Sequence, residues 1–171
     1  MKHTLSVLVQ NEAGVLSRIA SLFSARGFNI ESLTVAPTQD SDYSRVTIVT
    51  TGDDSVIEQI CKQLNRLINT IKVMDITGEN SIEREIILVK VAAKDEDRSE
   101  LIRIAEIFEA KIVDVTAKTY TIEAVGDDIK IKSLIELLRP MGIRELVRSG
   151  KVAISREMQF NIKNYSRLSV A

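Results

Sequence analysis

The chain has 171 residues, of which 44% are hydrophobic and 27% charged, the balance of an ordinary globular protein. Its 23 basic and 24 acidic residues leave a net charge of −1, which argues against a dedicated nucleic-acid binder. One cysteine and one histidine exclude an intrachain disulfide, a cysteine metal cluster and a multi-histidine zinc site. No apolar run reaches the ~20 residues of a membrane span. The apolar patch at the start is too short for a signal peptide, so the expected location is cytoplasmic.

The first segments spell βαββαβ. Residues 3–10 alternate as a strand with Leu5, Val7 and Val9 on one face. Residues 14–26 carry a helical stripe of Val15, Leu16, Ile19, Ala20, Leu22 and Phe23, and Gly27 suits the left-handed position after it. A strand over 29–36 stops at Pro37, a loop covers 38–42, and a β-branched strand covers 43–51. Asp53, Asp54 and Ser55 open a helix expected to run to about Asn69, burying Ile57, Ile60, Cys61, Leu64, Leu67 and Ile68. A fourth strand covers 71–77.

The second half repeats the order: strand 84–92, helix 97–109, strands 111–117 and 119–125, helix 128–139, and strand 143–154 broken at Ser149-Gly150. Residues 16–25 match 101–110 at six of ten positions with an offset of 85, and 45–54 match 119–128 at five of ten with an offset of 74. The expectation is an α+β protein made of two tandem ferredoxin-like sandwiches. Residues 1–77 form the first domain, 78–83 a linker, and 84–171 the second domain with a tail from about 157.

The copies differ where the first strand meets the first helix. One reads "NEAGVL" (Asn11–Leu16) and the other "KDEDRS" (Lys94–Ser99), and neither Gly14 nor the Gly27-Phe28-Asn29 corner has a counterpart in the second copy. A helix starting near Ala13 leaves first-turn N–H groups that attract a carboxylate. Gly14 admits a ligand to the backbone, Asn11 and Asn29 are amides that donate or accept, and Leu16 and Ile30 supply an apolar wall. A small zwitterion with an aliphatic side chain suits these groups. The competing reading makes Asn11 an N-cap and Asn29 a turn residue, with Glu12 and Glu31 as solvated charges.

Other candidates read as structural. His3, near the chain end, is taken as a surface residue and Cys61 as a small core residue. Asp40 with Asp42, and Asp95-Glu96-Asp97, are too few converging oxygens for a cation cage. Tyr43 and Tyr120 lack the paired aromatics and basic flanks of an RNA-binding sheet. An enzyme on this fold is disfavoured by the missing nucleophile–base pairs.

The strings "N-E-x-G-V-L-S-R", "RGFNIESL" with "V-x-P-T", "SR-x-T-I-V", and later "LVKV", "FEAKIVDVT" and "RSGKVAISR", resemble the small regulatory subunit of acetolactate synthase (acetohydroxyacid synthase), an ACT-domain family, over about residues 1–156. The resemblance implies a non-catalytic subunit in branched-chain amino-acid biosynthesis. Its large catalytic partner would carry thiamine diphosphate, Mg²⁺ and FAD. The resemblance implies activation of that partner and feedback inhibition by valine, or leucine or isoleucine. It also implies a homodimer of ACT domains with the effector between Asn11, Ala13, Gly14, Val15 and Leu16 of one copy and Asn29 and Ile30 of the other. Asn11 could still cap the helix there. No nucleic acid or membrane partner is implied. A free-standing amino-acid-sensing ACT protein acting on another partner is the alternative. Residues 157–171 extend past the family's usual end.

Overall fold

The computed structural model describes residues 1–78, 81–92 and 94–156. The fold divides into two compact units: Met1–Ile82 together with the described residues 153–156, and Glu83–Val152. Each is a βαββαβ sandwich.

In the first unit the elements are β1 (Lys2–Gln10), α1 (Val15–Ala25), β2 (Ile30–Pro37), β3 (Tyr43–Thr51), α2 (Asp54–Leu64) and β4 (Thr70–Asp75). The sheet order is β2-β3-β1-β4, with every neighbouring pair antiparallel. Alternation on β1 and β3 turns Leu5, Val7, Val9, Val46 and Ile48 to one face, where Val15, Ile19 and Phe23 of α1 and Ile57, Ile60 and Leu64 of α2 close the core. Both helices therefore cover the same side. Spacings of four residues put Val15, Ile19 and Phe23 on one stripe of α1. Asp53 caps α2 by accepting from the Val56 N–H at 2.9 Å.

In the second unit the elements are β5 (Ser81–Ala92, entering it at Glu83), α3 (Arg98–Ile107), β6 (Lys111–Val115), β7 (Thr119–Gly126), α4 (Asp128–Leu138) and β8 (Ile143–Arg148), and β9 (Val152–Ser155) follows across the boundary. The order is β6-β7-β5-β8, and β9 also pairs with β5. Its core gathers Ile87, Val89 and Val91 with Leu101, Ile104, Ile122, Ile131, Leu134 and Leu138. Asp127 caps α4 as Asp53 caps α2.

Several expectations are revised. Helix α2 stops at Leu64, not near Asn69, because the chain turns after Asn65, whose side-chain amide bonds the Cys61 carbonyl at 3.0 Å. Ile68 is consequently 87% exposed. Leu16 and Ala20 lie on the exposed side of α1. Strand β5 begins at Ser81, inside the expected linker, because pairing with β9 extends it. His3 is buried, not on the surface: it shares the parity of Leu5, and its Nδ1 lies 3.0 Å from Asp75 Oδ2. The tail from about 157 lies outside the described residues.

The internal match is also re-registered. Gly27, at φ 69°, donates its N–H to Ser24 and is followed by the Phe28–Phe23 bond; Glu109, at φ 49°, donates to Glu106 and is followed by the Ala110–Ala105 bond. The structural offset in this part is 82 (Gly27 to Glu109), roughly one helical turn from the 85 of the residue match. The turn after α1 thus has a counterpart in the second unit, built from different residues. The later block keeps its offset of 74, from the Asp53 cap to the Asp127 cap.

Candidate functional site

Between β1 and α1 the chain makes a tight turn. The Asn11 N–H donates to Asp42 O at 2.7 Å and the Asn11 side-chain amide to Ser41 O at 2.9 Å, which pins the corner to the loop before β3. Asn11 is therefore not a helix cap. Gly14 holds the N-cap position at φ 88°, ψ −9°, with no side-chain cap, and α1 starts at Val15 rather than near Ala13. A left-handed residue here costs an L-amino acid roughly 1–2 kcal/mol, which accounts for glycine.

The Gly14 turn leaves the start of α1 bare. Val15 donates weakly to Glu12 O at 3.4 Å and Arg18 to Gly14 O at 3.0 Å. The N–H groups of Leu16 and Ser17 have no hydrogen bond among the described residues. A Cβ built on Gly14 would meet nothing within 4 Å, so the space over the turn is open. Ala13 is exposed, Val15 is sealed in the core, and Leu16 is 41% exposed beside the turn. A cleft of about 240 Å³ lined by Gln10, Asn11, Glu12, Asp42 and Tyr43 adjoins it. A helix start of this kind can accept an anion, and amide and apolar groups lie beside it.

Asn29 and Ile30 lie elsewhere in the same copy. The Asn29 carbonyl accepts from Thr50 Oγ1 at 2.7 Å, and Ile30 is paired with Thr50, which pairs with His3 at the start of β1. Seven residue steps along the strand separate His3 from Gln10, a span of roughly 23 Å. One copy of the chain therefore does not bring the two sets together.

A residue that the sequence reading passed over organises the corner. Asn69 is 5% exposed. Its Nδ2 donates to Gln10 Oε1 at 3.0 Å and to Glu12 Oε2 at 2.8 Å, and its Oδ1 accepts from Arg18 Nη1. Its carbonyl accepts from the Gln10 N–H at 2.9 Å. Placing Asn69 in a helix hid this role, and partners 59 residues distant leave no local pattern to read.

Elsewhere the titratable groups behave as structure. Burial pushes the Cys61 thiol up, with a smaller contribution from Asp75. Among the described residues no group of three or more His, Cys, Asp and Glu side chains could hold a metal ion, and no helix is long and apolar enough to cross a membrane.

Comparison with known proteins assigns the class and then the family. Residues 5–72 match the family described as the AHAS small subunit-like ACT domain, so the first unit is an ACT domain. Residues 84–157 match the family described as the small subunit of acetolactate synthase. A probable acetolactate synthase small subunit of Archaeoglobus fulgidus is 55% identical over 91% of this chain and 98% of its own. The acetolactate synthase small subunit of Aquifex aeolicus is 53% identical over 92% of this chain and 82% of its own. The crystal structure of the small subunit from Thermotoga maritima superposes with a TM-score of 0.84 at 40% identity, covering 93% of this chain and 99% of that one. The chain belongs to the acetolactate synthase small-subunit family, a family of regulatory subunits whose designation implies a catalytic large subunit as partner.

Proposed function

We propose that the chain is a cytoplasmic regulatory subunit that raises the activity of an acetolactate synthase large subunit and confers feedback inhibition by a branched-chain amino acid, valine first. The large subunit performs the condensation with thiamine diphosphate, Mg²⁺ and FAD. This chain contributes a sensor.

The observation that carries the reading is the open turn at Gly14. Bare N–H groups at the start of α1 take the effector carboxylate, Asn11 lies beside them, and Leu16 with Ile30 faces the aliphatic side chain. The separation of Asn29 and Ile30 from that turn supports a site shared between two copies. Strand β2 is an edge of its sheet. Pairing two such edges about a two-fold axis sets the ends of the sheets in opposite directions. The start of β2 in one copy then approaches the Gly14 end of the other. Effector binding across the pair favours one arrangement over another, with a coupling of ~1–3 kcal/mol.

The test is Gly14→Asp. Its carboxylate enters the open space over the turn and repels that of the ligand. The expected result is a loss of valine affinity of about tenfold or more by calorimetry. Inhibition of the reconstituted enzyme falls with it, while activation of the large subunit persists. Gly14→Asn, which tolerates the left-handed backbone without the charge, should lose less. Unchanged valine inhibition in Gly14→Asp would overturn the site.

A further inference from the structure

We propose that Asn69 is a positioning residue for the effector site, clamping the chain on both sides of the Gly14 turn. The inference rests on the effector reading above and names the residue that sets its geometry.

The amide reaches two residues before the turn and one after it. Before it, Nδ2 holds the Glu12 carboxylate and Oε1 of Gln10; after it, Oδ1 holds the Arg18 guanidinium. The same two residues fix the turn through the backbone, since Glu12 O accepts from Val15 and the Arg18 N–H donates to Gly14 O. Fixing both side chains fixes the backbone between them, where the bare N–H groups are. The clamp also manages charge. A carboxylate at Glu12 is adverse to an anionic ligand at the start of α1, and a single amide binds both it and the Arg18 guanidinium. Only an amide serves both neighbours: a carboxylate would repel Glu12, and an apolar residue would leave all three polar groups unpaired.

The second unit closes the same corner without this clamp, using a left-handed glycine instead. There Ala92 N–H donates to Gly142 O at 3.0 Å, the same backbone bond that Gln10 makes to Asn69 O, with a glycine in place of the asparagine. At the offset of 82 that relates Gln10 to Ala92, Glu12 corresponds to Lys94 and Arg18 to Glu100. Both turns keep their closing bond, Val15 to Glu12 O and Asp97 to Lys94 O. The fold closes this corner without any of the four side chains. All four are present in the unit that carries the left-handed Gly14 turn.

The experiment exchanges donor and acceptor. In the full-length chain, Asn69→Asp should lower valine affinity by about tenfold, because the new carboxylate faces Glu12. Adding Glu12→Gln restores a donor opposite it, and affinity should return to within about threefold of wild type. Activation of the large subunit should be unaltered throughout. Asn69→Gly, the residue the second unit uses, guards against misfolding: it should fold, bind valine weakly, and gain nothing from Glu12→Gln. Unchanged affinity in Asn69→Asp or Asn69→Gly, or a folded double variant that fails to recover, overturns the clamp. Gly14→Asp measured alongside separates the two ideas. If it abolishes binding while the Asn69 variants do not, the clamp alone fails; if it too is silent, the effector reading fails first.

Discussion

At the end of β1 the chain breaks stride at a left-handed Gly14 and begins α1; at the end of β5 it winds through a 3₁₀ turn, Asp95–Asp97, directly into α3, and neither helix start has a capping side chain. Both corners share two backbone bonds, the one from the end of the first strand to the loop before the last and the one that closes each turn. One unit enters its helix through a 3₁₀ turn, and the other through a left-handed glycine braced from below by a buried amide. A repeated fold thus separates what the architecture requires from what the site requires. Features present in both units serve the sandwich, and the Gly14 turn with its Asn69 brace is present in one.

The shared features should fail alike in both units. Ile19 and Leu101 occupy corresponding core positions and are both fully buried. Truncation of either to alanine should cost about 2–5 kcal/mol, seen as a lowered denaturant midpoint for the unit that carries it. A large cost at one position and a negligible one at the other would break the correspondence. The helix caps come next. Asp53→Ala and Asp127→Ala should each lower Tm by a few degrees. The Asp53 carboxyl is held below its ordinary range by hydrogen bonds from the Ser55 hydroxyl and the Val56 N–H. A depressed carboxylate pKa stabilises the fold above the unfolded value and loses that effect as pH falls through the folded value. The penalty of Asp53→Ala should therefore shrink in acid, measured as thermal melts across pH 2–5. The smallest effect has the opposite sign. Glu109 holds the left-handed position that Gly27 holds in the first unit, so Glu109→Gly should raise stability by under about 1 kcal/mol, whereas Gly27→Ala should lower it.

The architecture was legible because it is written locally. Alternation on β1 and β3, stripes on α1 and α4, and acidic caps at Asp53 and Asp127 each specify an element within a few residues. Proximity of the corner to a helix start was legible for the same reason. Tertiary decisions were not. His3 looked peripheral because nothing in its neighbourhood announces Asp75, 72 residues away. Ile68 looked buried because an apolar residue at helical spacing reads as core until the helix is seen to stop. The offset of 85 maximised identical letters, but hydrogen bonds choose the register, and they place the units one turn apart from that match. Asn69 was invisible for both reasons together, lying beyond a misjudged helix end and working through distant partners.

Every residue of the first hydrophobic cluster, from Leu5 to its partly buried neighbour Val73, precedes the second unit in the chain. During synthesis the N-terminal sandwich can therefore seal its core while the ribosome spends several more seconds on the remainder. Its four strands are committed to one another before the near-copy that could compete for them has been made. For a protein that carries the same topology twice, the order of translation is itself a safeguard against exchanging strands between the two halves.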